Sequence, residues 1–404
     1  MYKKALHVRI FLENLLFLAH VVLLMVLSPI LSRLFKLPTS VVEILLGSIA
    51  VWLGFLHVNN EVFQSLAKIG FFYLMFLVGL EIEIREFAGF KDRFLKKALL
   101  FFGIVYGSTL LLYGAFELSV VYIVALPIAS LGMVMALINE HGKTHSWLEL
   151  ALLIGLIGEL LSICALVMFD GIIAHGFGWH FAKSIAILLV VLISSFYMFK
   201  ILNILFWWYP GLKKIIMPHQ DTKHQSIRIS IALFFGLLAV MQWLEIDMVL
   251  GAIIAGIFIT NFFSHKKELT HELSTFGFGF LVPMFFIFVG TTLDLNVIFT
   301  ETILYHALWI VLAMVGIRLL ASFIAFFGYL GTKGTILFSL SYSMPLTFLV
   351  AIATIAVKNS AIGQEEYASF IVAALVEGIV IMTLIQILMF LFEKIEKKHK
   401  AKNC

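Results

Sequence analysis

Residues 147–174 read WLELALLIGLIGELLSICALVMFDGIIA. Between Leu150 and Phe169 this segment carries a single charged side chain, Glu159. A helix needs about 20 apolar residues to cross the hydrocarbon core of a bilayer, so the segment is predicted to be a membrane-spanning helix. A carboxylate in the middle of such a helix is costly to place in lipid. It therefore indicates an ion pathway or a buried charge pair.

The rest of the chain has the same apolar character. Of its 404 residues, 62% are apolar and 13% are charged, against about 25% charged in an ordinary soluble domain. The mean hydropathy is +1.06. This leaves too few polar side chains to cover a soluble surface, which excludes a soluble enzyme, a nucleic-acid-binding protein and a disordered scaffold. The alternation of a membrane β-barrel is also absent. An all-α polytopic membrane protein is predicted.

Functional motifs of other protein classes are missing from the sequence. The two cysteines, Cys164 and Cys404, cannot form a disulfide framework or a cysteine-based metal site. No metalloprotease, hydrolase, phosphate-binding or potassium-filter motif occurs. We therefore expect no enzymatic activity, no metal site, no cofactor and no nucleic-acid partner.

The length criterion predicts about thirteen spans. They cover residues 11–35, 40–56, 64–84, 94–116, 120–139, 147–174, 179–208, 225–244, 247–263, 272–293, 302–327, 335–357 and 367–392. The first is interpreted as a span because no cleavage-like small-residue site follows it. This predicts one transmembrane domain over 1–392, with repeat one at 11–174, a linking helix at 179–208 and repeat two at 225–392. A short cytoplasmic tail, 393–404, follows.

The distribution of positive charge predicts the orientation in the membrane. Sorting the 28 Lys and Arg residues by loop places 20 on one side and six on the other, while Lys200 and Arg318 fall inside spans. The excess puts the C-terminus in the cytoplasm and the N-terminus outside. Lys3, Lys4 and Arg9 oppose this assignment. The predicted location is the cell (inner or plasma) membrane.

The first six spans resemble the last six. Matching positions are Glu43 and Gly47 with Asp247 and Gly251 (offset 204), Gly79 with Gly290 (offset 211), Pro127 with Pro345 and Glu159 with Glu377 (both offset 218). The halves are shifted by seven spans, and an odd shift inverts one copy relative to the other. Inverted-topology repeats of this kind are typical of secondary transporters.

Two prolines mark the predicted ion site. Pro127 and Pro345 lie inside their spans, where proline removes a helical hydrogen bond. Carbonyl groups freed at such breaks can coordinate a cation, and the hydroxyls of Ser130, Ser343 and Thr347 are further candidate ligands. The alternative is a simple kink, with these hydroxyls bonded back to their own helix.

Three ionisable residues lie deep within spans. Glu159 is the predicted ion-binding carboxylate, since one carboxylate can hold either a proton or a metal cation. Arg318, which is always charged, is the predicted counter-charge. The alternative for Glu159 is a structural carboxylate permanently paired with Arg318. Glu377 is a second titrating group or, as we favour, a structural partner of a crossing helix end.

Four segments resemble the monovalent cation:proton antiporters of the Kef and Nap type. They are Leu37-Pro-Thr-Ser-Val-Val-Glu43-Ile-Leu-Leu-Gly47, Phe76-Leu-Val-Gly-Leu-Glu81-Ile-Glu83, Gly251-Ala-Ile-Ile-Ala-Gly256 and Val282-Pro283-Met-Phe-Phe-Ile-Phe-Val-Gly290-Thr-Thr-Leu-Asp294. The resemblance implies thirteen spans with an outside N-terminus, a dimerisation part, and a mobile core with two crossing broken helices. It also implies a homodimer and an elevator-like movement that exchanges a cation for protons.

Matched by position, the family's broken helices fall on the spans of Pro127 and Pro345. Its ion-binding Asp falls on Glu159 and its core Lys or Arg on Arg318. In the family, the ion-binding Asp is the second residue of an Asn-Asp or Asp-Asp pair, and here Gly158 stands at the position of the first residue. After Pro345, the family's frequent Arg-Gly-Glu sequence is replaced by Leu346-Thr347-Phe348. One carboxylate with one arginine resembles the electroneutral members, which implies one cation per proton. The residues after 392 are too few for a nucleotide-binding regulatory domain.

The predicted function is secondary antiport of Na+ or K+ against H+ by alternating access, without ATP or a bound cofactor. The sequence does not choose between the two cations, because hydroxyl and carbonyl oxygens suit both. Two other functions fit a similar scaffold. One is sodium-coupled symport of an organic solute, and the other is a non-transporting sensor.

Overall fold

The structure is a computed structural model of the chain. It describes residues 2–35, 37–56, 60–82, 92–130, 134, 137–138, 145–175, 224–244, 248–263, 267–298 and 300–402, together with the single residues 186, 190 and 208. Every regular element within these residues is a helix. The predicted linking helix 179–208 lies almost wholly outside the described residues, so it stays a prediction.

The helices of the first half are α1 (Tyr2–Phe35), α2 (Thr39–Trp52), α3 (Glu61–Leu80), α4 (Asp92–Phe116), α5 (Val120–Ala125) and α6 (Ser146–His175). Those of the second half are α7 (Gln225–Trp243), α8 (Met248–Phe262), α9 (Lys267–Phe276), α10 (Val282–Thr291), α11 (Leu295–Ile298), α12 (Glu301–Ser341), α13 (Leu346–Lys358), α14 (Gln364–Val376) and α15 (Met382–Lys402). Two π-helical turns, Gly277–Leu281 and Glu377–Ile381, join α9 to α10 and α14 to α15.

Helix length and composition agree with a membrane protein. Among the described residues, eight helical segments are long and apolar enough to cross a bilayer, and two shorter apolar helices accompany them. One of the eight, Glu301–Lys358, covers two predicted spans and bends at Gly331, whose φ is 64°. The all-α membrane fold is confirmed, whereas the count of thirteen spans stays a prediction. Helix α15 continues to Lys402, through most of the predicted tail 393–404.

The helices form two compact units, and each unit takes segments from both halves of the sequence. The first unit comprises Met1–Arg33, Val42–Gly89 and Ala174–Asp294. The second comprises Leu34–Val41, Phe90–Ile173 and Leu295–Cys404. Each compact unit therefore contains residues of both predicted repeats, 11–174 and 225–392.

Glycine contacts hold the helices of the first unit together. Gly47 of α2 faces Gly290 of α10, and Gly79 of α3 faces Gly256 of α8. A Cβ at Gly47 or Gly79 would lie well under 3.0 Å from a carbonyl oxygen of the facing helix. Small residues at such crossings let two membrane helices approach through their backbones. The unit is therefore fixed by backbone packing.

The predicted internal repeat would relate these two crossings. If Gly79 and Gly290 are equivalent, as their offset of 211 predicts, exchanging the halves maps Gly47 onto Gly256. On that condition the crossings favour Gly256 over Gly251 as the counterpart of Gly47, and the predicted match of Gly47 with Gly251 stays untested. Gly251 packs against a side chain of α7 and does not occupy a glycine–glycine crossing. The two candidate counterparts of Gly47 lie five residues apart in the sequence.

Buried polar groups of the first unit bond to neighbouring helices. Glu43 of α2 is buried, and its Oε1 accepts a hydrogen bond from the hydroxyl of Ser28 at 3.4 Å. Asn261 of α8 donates to the carbonyl of Ile82 at 3.0 Å. Buried polar groups that find partners avoid most of their desolvation cost. These contacts add specificity to the glycine packing.

Candidate ion-binding site

The first helix break lies in the second unit. Helix α5 ends at Ala125, the chain turns at Pro127, and residues 128–130 are non-helical. Proline cannot continue the hydrogen-bond pattern, so the backbone beyond it needs other partners. The N–H of Ala129 donates to the hydroxyl of Ser162 on α6, at 2.8 Å. Helix α5 thus ends before Pro127, as expected for a proline at this position.

Arg318 binds a carbonyl group that this break exposes. It lies in the middle of α12 and is fully buried. Its Nη1 donates to the carbonyl of Met314 at 2.9 Å, and its Nη2 donates to the carbonyl of Ile128. A charged donor makes a strong hydrogen bond in a buried site. The arginine thus supplies a donor to the carbonyl of a non-helical residue.

The second break interrupts the predicted span 335–357. Helix α12 ends at Ser341, α13 begins at Leu346, and Pro345 directly precedes α13. The Ser343 hydroxyl donates to the carbonyl of Ser339 at 2.7 Å, which is the back-bonding considered above as an alternative. Its oxygen keeps lone pairs that can accept a bond or coordinate a cation. The predicted break at Pro345 is confirmed.

The two breaks meet through hydroxyl groups. The Oγ of Ser130 and the Oγ1 of Thr347 lie 3.4 Å apart, although the residues are 217 positions apart in the sequence. Ser130 and Thr347 are partly buried, whereas Pro127 and Pro345 are buried. Hydroxyls and non-helical carbonyls at such a junction are the ligands that transporters offer to Na+ and H+.

Glu159 lies on α6 beside the second break. Its side chain is 1% exposed. Tyr342, in the break, interacts electrostatically with Glu159 and donates its hydroxyl to the carbonyl of Ile154 at 3.4 Å. A Cβ at Gly158 would overlap the Tyr342 hydroxyl. Position 158 is therefore glycine because the tyrosine hydroxyl occupies the space of its side chain.

Aromatic packing fixes the position of Tyr342. Its ring stacks on Phe338 at a centroid distance of 5.9 Å and meets the edge of Phe101 at 5.4 Å. Phe326 packs against both phenylalanines, at 5.2 and 5.6 Å. Such ring pairs contribute about 0.5–1.5 kcal/mol each beyond their buried area. The hydroxyl beside Glu159 is thus held by a rigid cluster.

Glu377 is a third buried charged residue in this unit. It is fully buried, and neither carboxylate oxygen has a hydrogen-bond partner among the described residues. It begins the π-helical turn Glu377–Ile381, and π-helical turns inside α-helices are frequent at functional sites. The next residue, Gly378, packs against Leu346 at the start of α13. Glu377 also interacts electrostatically with Arg318.

The family of the chain follows from comparison with known proteins. A family described as "Sodium/hydrogen exchanger, transmembrane" matches residues 22–391. The chain belongs to this family. The description of this family agrees with the class that the sequence resemblance implied and with the multi-pass membrane fold.

Two proteins with similar sequences carry related names. The chain is 30% identical over 303 residues to the "Putative Na(+)/H(+) antiporter YjbQ" of Bacillus subtilis, which covers 68% of this chain and 47% of that protein. It is 25% identical over 364 residues to the "Probable Na(+)/H(+) antiporter 3" of Methanocaldococcus jannaschii, covering 86% and 89%. The chain thus spans about half the length of the Bacillus relative.

A solved structure has the same fold. The sodium proton antiporter MjNhaP1 from Methanocaldococcus jannaschii superimposes with a TM-score of 0.65, over 93% of this chain and all of that chain. The sequences are 15% identical. This likeness shows that the two chains share a fold.

The structure brings the predicted site residues together in one unit. Ser130 meets Thr347, Arg318 interacts with Glu377, and Glu159 lies beside the break that contains Tyr342. Their functional roles stay predictions. Within the described ranges, no group of three or more His, Cys, Asp or Glu side chains could hold a metal ion together.

Sequence reasoning missed two contributors. Ser162 lies three residues after Glu159, close to the same helix face, and this spacing could have indicated it. Tyr342 stands between two serines just before Pro345, a polar run in an apolar span. Its packing into the space at Gly158 carries no local signal, because the two positions are 184 residues apart.

Proposed function

We propose that the chain is a secondary antiporter that exchanges Na+ or K+ for H+ across a cell membrane, one cation per proton. Family membership and the names of both relatives support this proposal. The observation that carries it is the position of Glu159, buried in α6 beside two facing helix breaks.

Glu159 is the group that couples the two ions. A carboxylate shielded from water binds a proton or a metal cation, and one excludes the other. Ser130 and Thr347 supply hydroxyl oxygens to the bound cation, and the non-helical backbone of the breaks supplies carbonyl oxygens. Arg318 keeps the first break in place through its bond to Ile128.

Alternating access follows from the inverted repeat. Two halves of opposite orientation give one site two equivalent routes to water, and rocking between the arrangements opens one route at a time. The charge asymmetry supports an N-terminus outside and a C-terminus in the cytoplasm. We further propose a homodimer, as the family resemblance implies.

Glu159→Gln tests the mechanism. Glutamine keeps the shape of the side chain and loses the titratable charge, so cation-driven proton movement in proteoliposomes should fall to the level of protein-free liposomes. Glu159→Asp is the matched control, because it keeps the carboxylate and should retain part of the activity. Unchanged exchange by Glu159→Gln would remove this residue from the mechanism.

Dequenching of a pH-sensitive dye in everted vesicles identifies the cation. With a preformed pH gradient, added Na+ or K+ should dissipate the gradient if that ion is exchanged for protons. Dependence on an added organic solute would indicate a symporter. Cation binding without any flux would indicate a sensor.

A further inference from the structure

Both helix breaks of the second unit contact helix α6 at the same glycine. A Cβ at Gly158 would overlap the hydroxyl of Tyr342, from the second break, and would lie 2.9 Å from the Cβ of Ala129, from the first break. One helical turn later, the hydroxyl of Ser162 accepts a hydrogen bond from the N–H of Ala129. Glu159 directly follows Gly158, so this carboxylate belongs to the part of α6 on which the two breaks converge.

The hydroxyl of Tyr342 is a buried polar group with unused hydrogen-bonding capacity. Tyr342 is 2% exposed, and within the described residues its hydroxyl makes one hydrogen bond, to the carbonyl of Ile154 at 3.4 Å. Hydroxyl donors usually lie about 2.5–3.0 Å from an oxygen acceptor, so this bond is long. A phenolic oxygen also has lone pairs that can accept a bond or coordinate a cation. Buried polar groups normally use this capacity, which indicates a further partner for the hydroxyl.

The charged neighbours of the hydroxyl leave its oxygen available. The hydroxyl interacts electrostatically with Arg318, Tyr106 and Glu159. The terminal nitrogens of Arg318 donate to backbone carbonyls, and its Nε has no partner among the described residues. Arg318 also interacts with Glu377, which reduces the repulsion that its charge would exert on a cation at the hydroxyl. The phenolic oxygen can therefore receive a cation.

Aromatic packing fixes this oxygen before any ion binds. The ring of Tyr342 stacks on Phe338 and meets the edge of Phe101. A ligand group that is already ordered adds affinity, because binding does not have to restrict its motion. The hydroxyl is thus a neutral oxygen held in place beside the segment that carries Glu159.

We propose that the phenolic oxygen of Tyr342 is a ligand of the transported cation. It acts together with the Glu159 carboxylate and with the hydroxyls of Ser130 and Thr347, and it occupies the space that a side chain at position 158 would fill. The oxygen contacts the cation and not the competing proton, since its own hydrogen stays directed at the Ile154 carbonyl. This inference rests on the proposed exchange function and adds a ligand to the same site.

Tyr342→Phe tests the proposal because it removes the oxygen and keeps the aromatic ring. Initial exchange rates are measured in proteoliposomes over a range of pH and of concentrations of the cation that the dequenching assay shows to be exchanged. The apparent KM for this cation should rise roughly tenfold, the loss expected for one polar contact to a charge. The maximal rate should stay within about twofold of wild type. The rise in KM should be the same factor at every pH, because proton binding is unchanged.

Other results would overturn the proposal. A wild-type KM in Tyr342→Phe would show that the oxygen does not contact the cation. A lower maximal rate at wild-type KM would show that the hydroxyl only supports the packing. A KM curve displaced along the pH axis would show that the hydroxyl bonds to the Glu159 carboxylate and affects the proton instead.

Tyr73→Phe is the matched control. Tyr73 is also buried, and its hydroxyl also donates to a carbonyl of another helix, that of Leu273 at 3.1 Å, but it lies in the first unit. This variant should keep the wild-type KM. An equal rise in KM in both variants would mean that the loss of any buried tyrosine hydroxyl alters cation binding, and the proposal would fail.

A relocated hydroxyl keeps the test decisive if Tyr342→Phe does not insert. In Gly158→Ser/Tyr342→Phe the introduced Cβ lies in the space of the former phenolic oxygen, so the serine hydroxyl returns an oxygen to that region. Its KM should be close to that of wild type. Gly158→Ala/Tyr342→Phe refills the same space without a hydroxyl and should have the raised KM. Equal KM values in the two double variants would overturn the proposal.

The outcomes separate this inference from the exchange function itself. Absence of cation-driven proton movement in wild type would refute antiport. Exchange in wild type together with a wild-type KM in Tyr342→Phe would refute only the role of Tyr342.

Discussion

The two compact units stabilise their helices by different means. The first unit crosses its helices at glycine pairs, backbone against backbone, at Gly47 with Gly290 and Gly79 with Gly256. The second unit contains both helix breaks and joins them through the side chains of Ser130 and Thr347. Backbone contacts leave no adjustable atoms, whereas side-chain contacts can be exchanged between states. The difference supports the proposal that the first unit is rigid and that the second unit binds the ion.

Buried acids show the same contrast. Glu43 of the first unit accepts a hydrogen bond from Ser28 and lies on a continuous helix. Glu159 of the second unit neighbours a break, and Glu377 begins a π-helical turn. A buried carboxylate with a local hydroxyl partner is a structural group, whereas one beside non-helical backbone has room to bind an ion. Burial alone does not identify the ion-binding residue.

The largest expected effect tests the backbone packing of the first unit. In Gly79→Ala the new Cβ would overlap a carbonyl oxygen of α8, and α3 and α8 would have to separate. Overpacking of this kind costs about 3 kcal/mol when the obstacle is backbone. Thermal unfolding in detergent should show a clear loss of stability.

Gly236→Ala is the matched control for this variant. Gly236 lies on α7 of the same unit, and a Cβ there meets nothing within 4 Å. Alanine favours helix over glycine by about 0.5–1 kcal/mol, so this variant should be neutral or slightly more stable. Equal stability of the two variants would contradict the rigid packing of the first unit.

A smaller effect is expected in the second unit, where the obstacle is a side chain. In Gly158→Ala the Cβ would displace the Tyr342 hydroxyl beside Glu159. We expect a stability cost of about 1–2 kcal/mol and roughly tenfold slower exchange, since the tyrosine can move only by disturbing its aromatic cluster. Proteoliposome exchange and thermal unfolding measure the two effects.

Tyr342→Phe in the Gly158→Ala background sharpens this result. Removing the hydroxyl relieves the closest overlap, so stability and exchange should recover in part. No recovery would show that the Gly158 contact is set by another neighbour, such as Ala129, whose Cβ would lie 2.9 Å from the new methyl group. For Gly79→Ala, no single side-chain deletion removes the backbone overlap.

Sequence patterns predicted the membrane fold and the breaks because both depend on local chemistry. An apolar run of span length has few alternatives to a membrane helix, and a proline within it has few alternatives to a break or a kink. Helices α5 and α12 end near Pro127 and Pro345, as expected. For the glycine match of Gly47 with Gly251, the crossings favour Gly256 instead if Gly79 and Gly290 are equivalent. Which residues of the two repeats are equivalent depends on where distant helices cross. The similarity of short sequence segments does not show where helices cross.

The charged residues of the candidate site could be predicted from the sequence, but which of them interact could not. Glu159, Arg318 and Glu377 stand out as rare charges in apolar spans. Which acid interacts with the arginine depends on how α12 packs against the π-helical turn, and an α-helical pattern does not foresee that turn. Tyr342 was missed for a related reason, since aromatic residues are common in apolar spans.

The smallest expected effect concerns the acid of the first unit. Glu43→Gln keeps an oxygen that can accept the Ser28 hydrogen bond and removes the titratable group. We expect a stability change of about 1 kcal/mol or less, and exchange rates, cation response and pH profile close to those of wild type. The dequenching assay and thermal unfolding check this. Loss of exchange in Glu43→Gln, or a shift in its pH dependence, would mean that protons also pass through the first unit. That result would contradict the assignment of ion binding to the second unit alone. If Glu43→Gln has the pH profile of wild-type exchange while Glu159→Gln is inactive, as expected, the surroundings of a buried carboxylate determine whether it takes part in exchange.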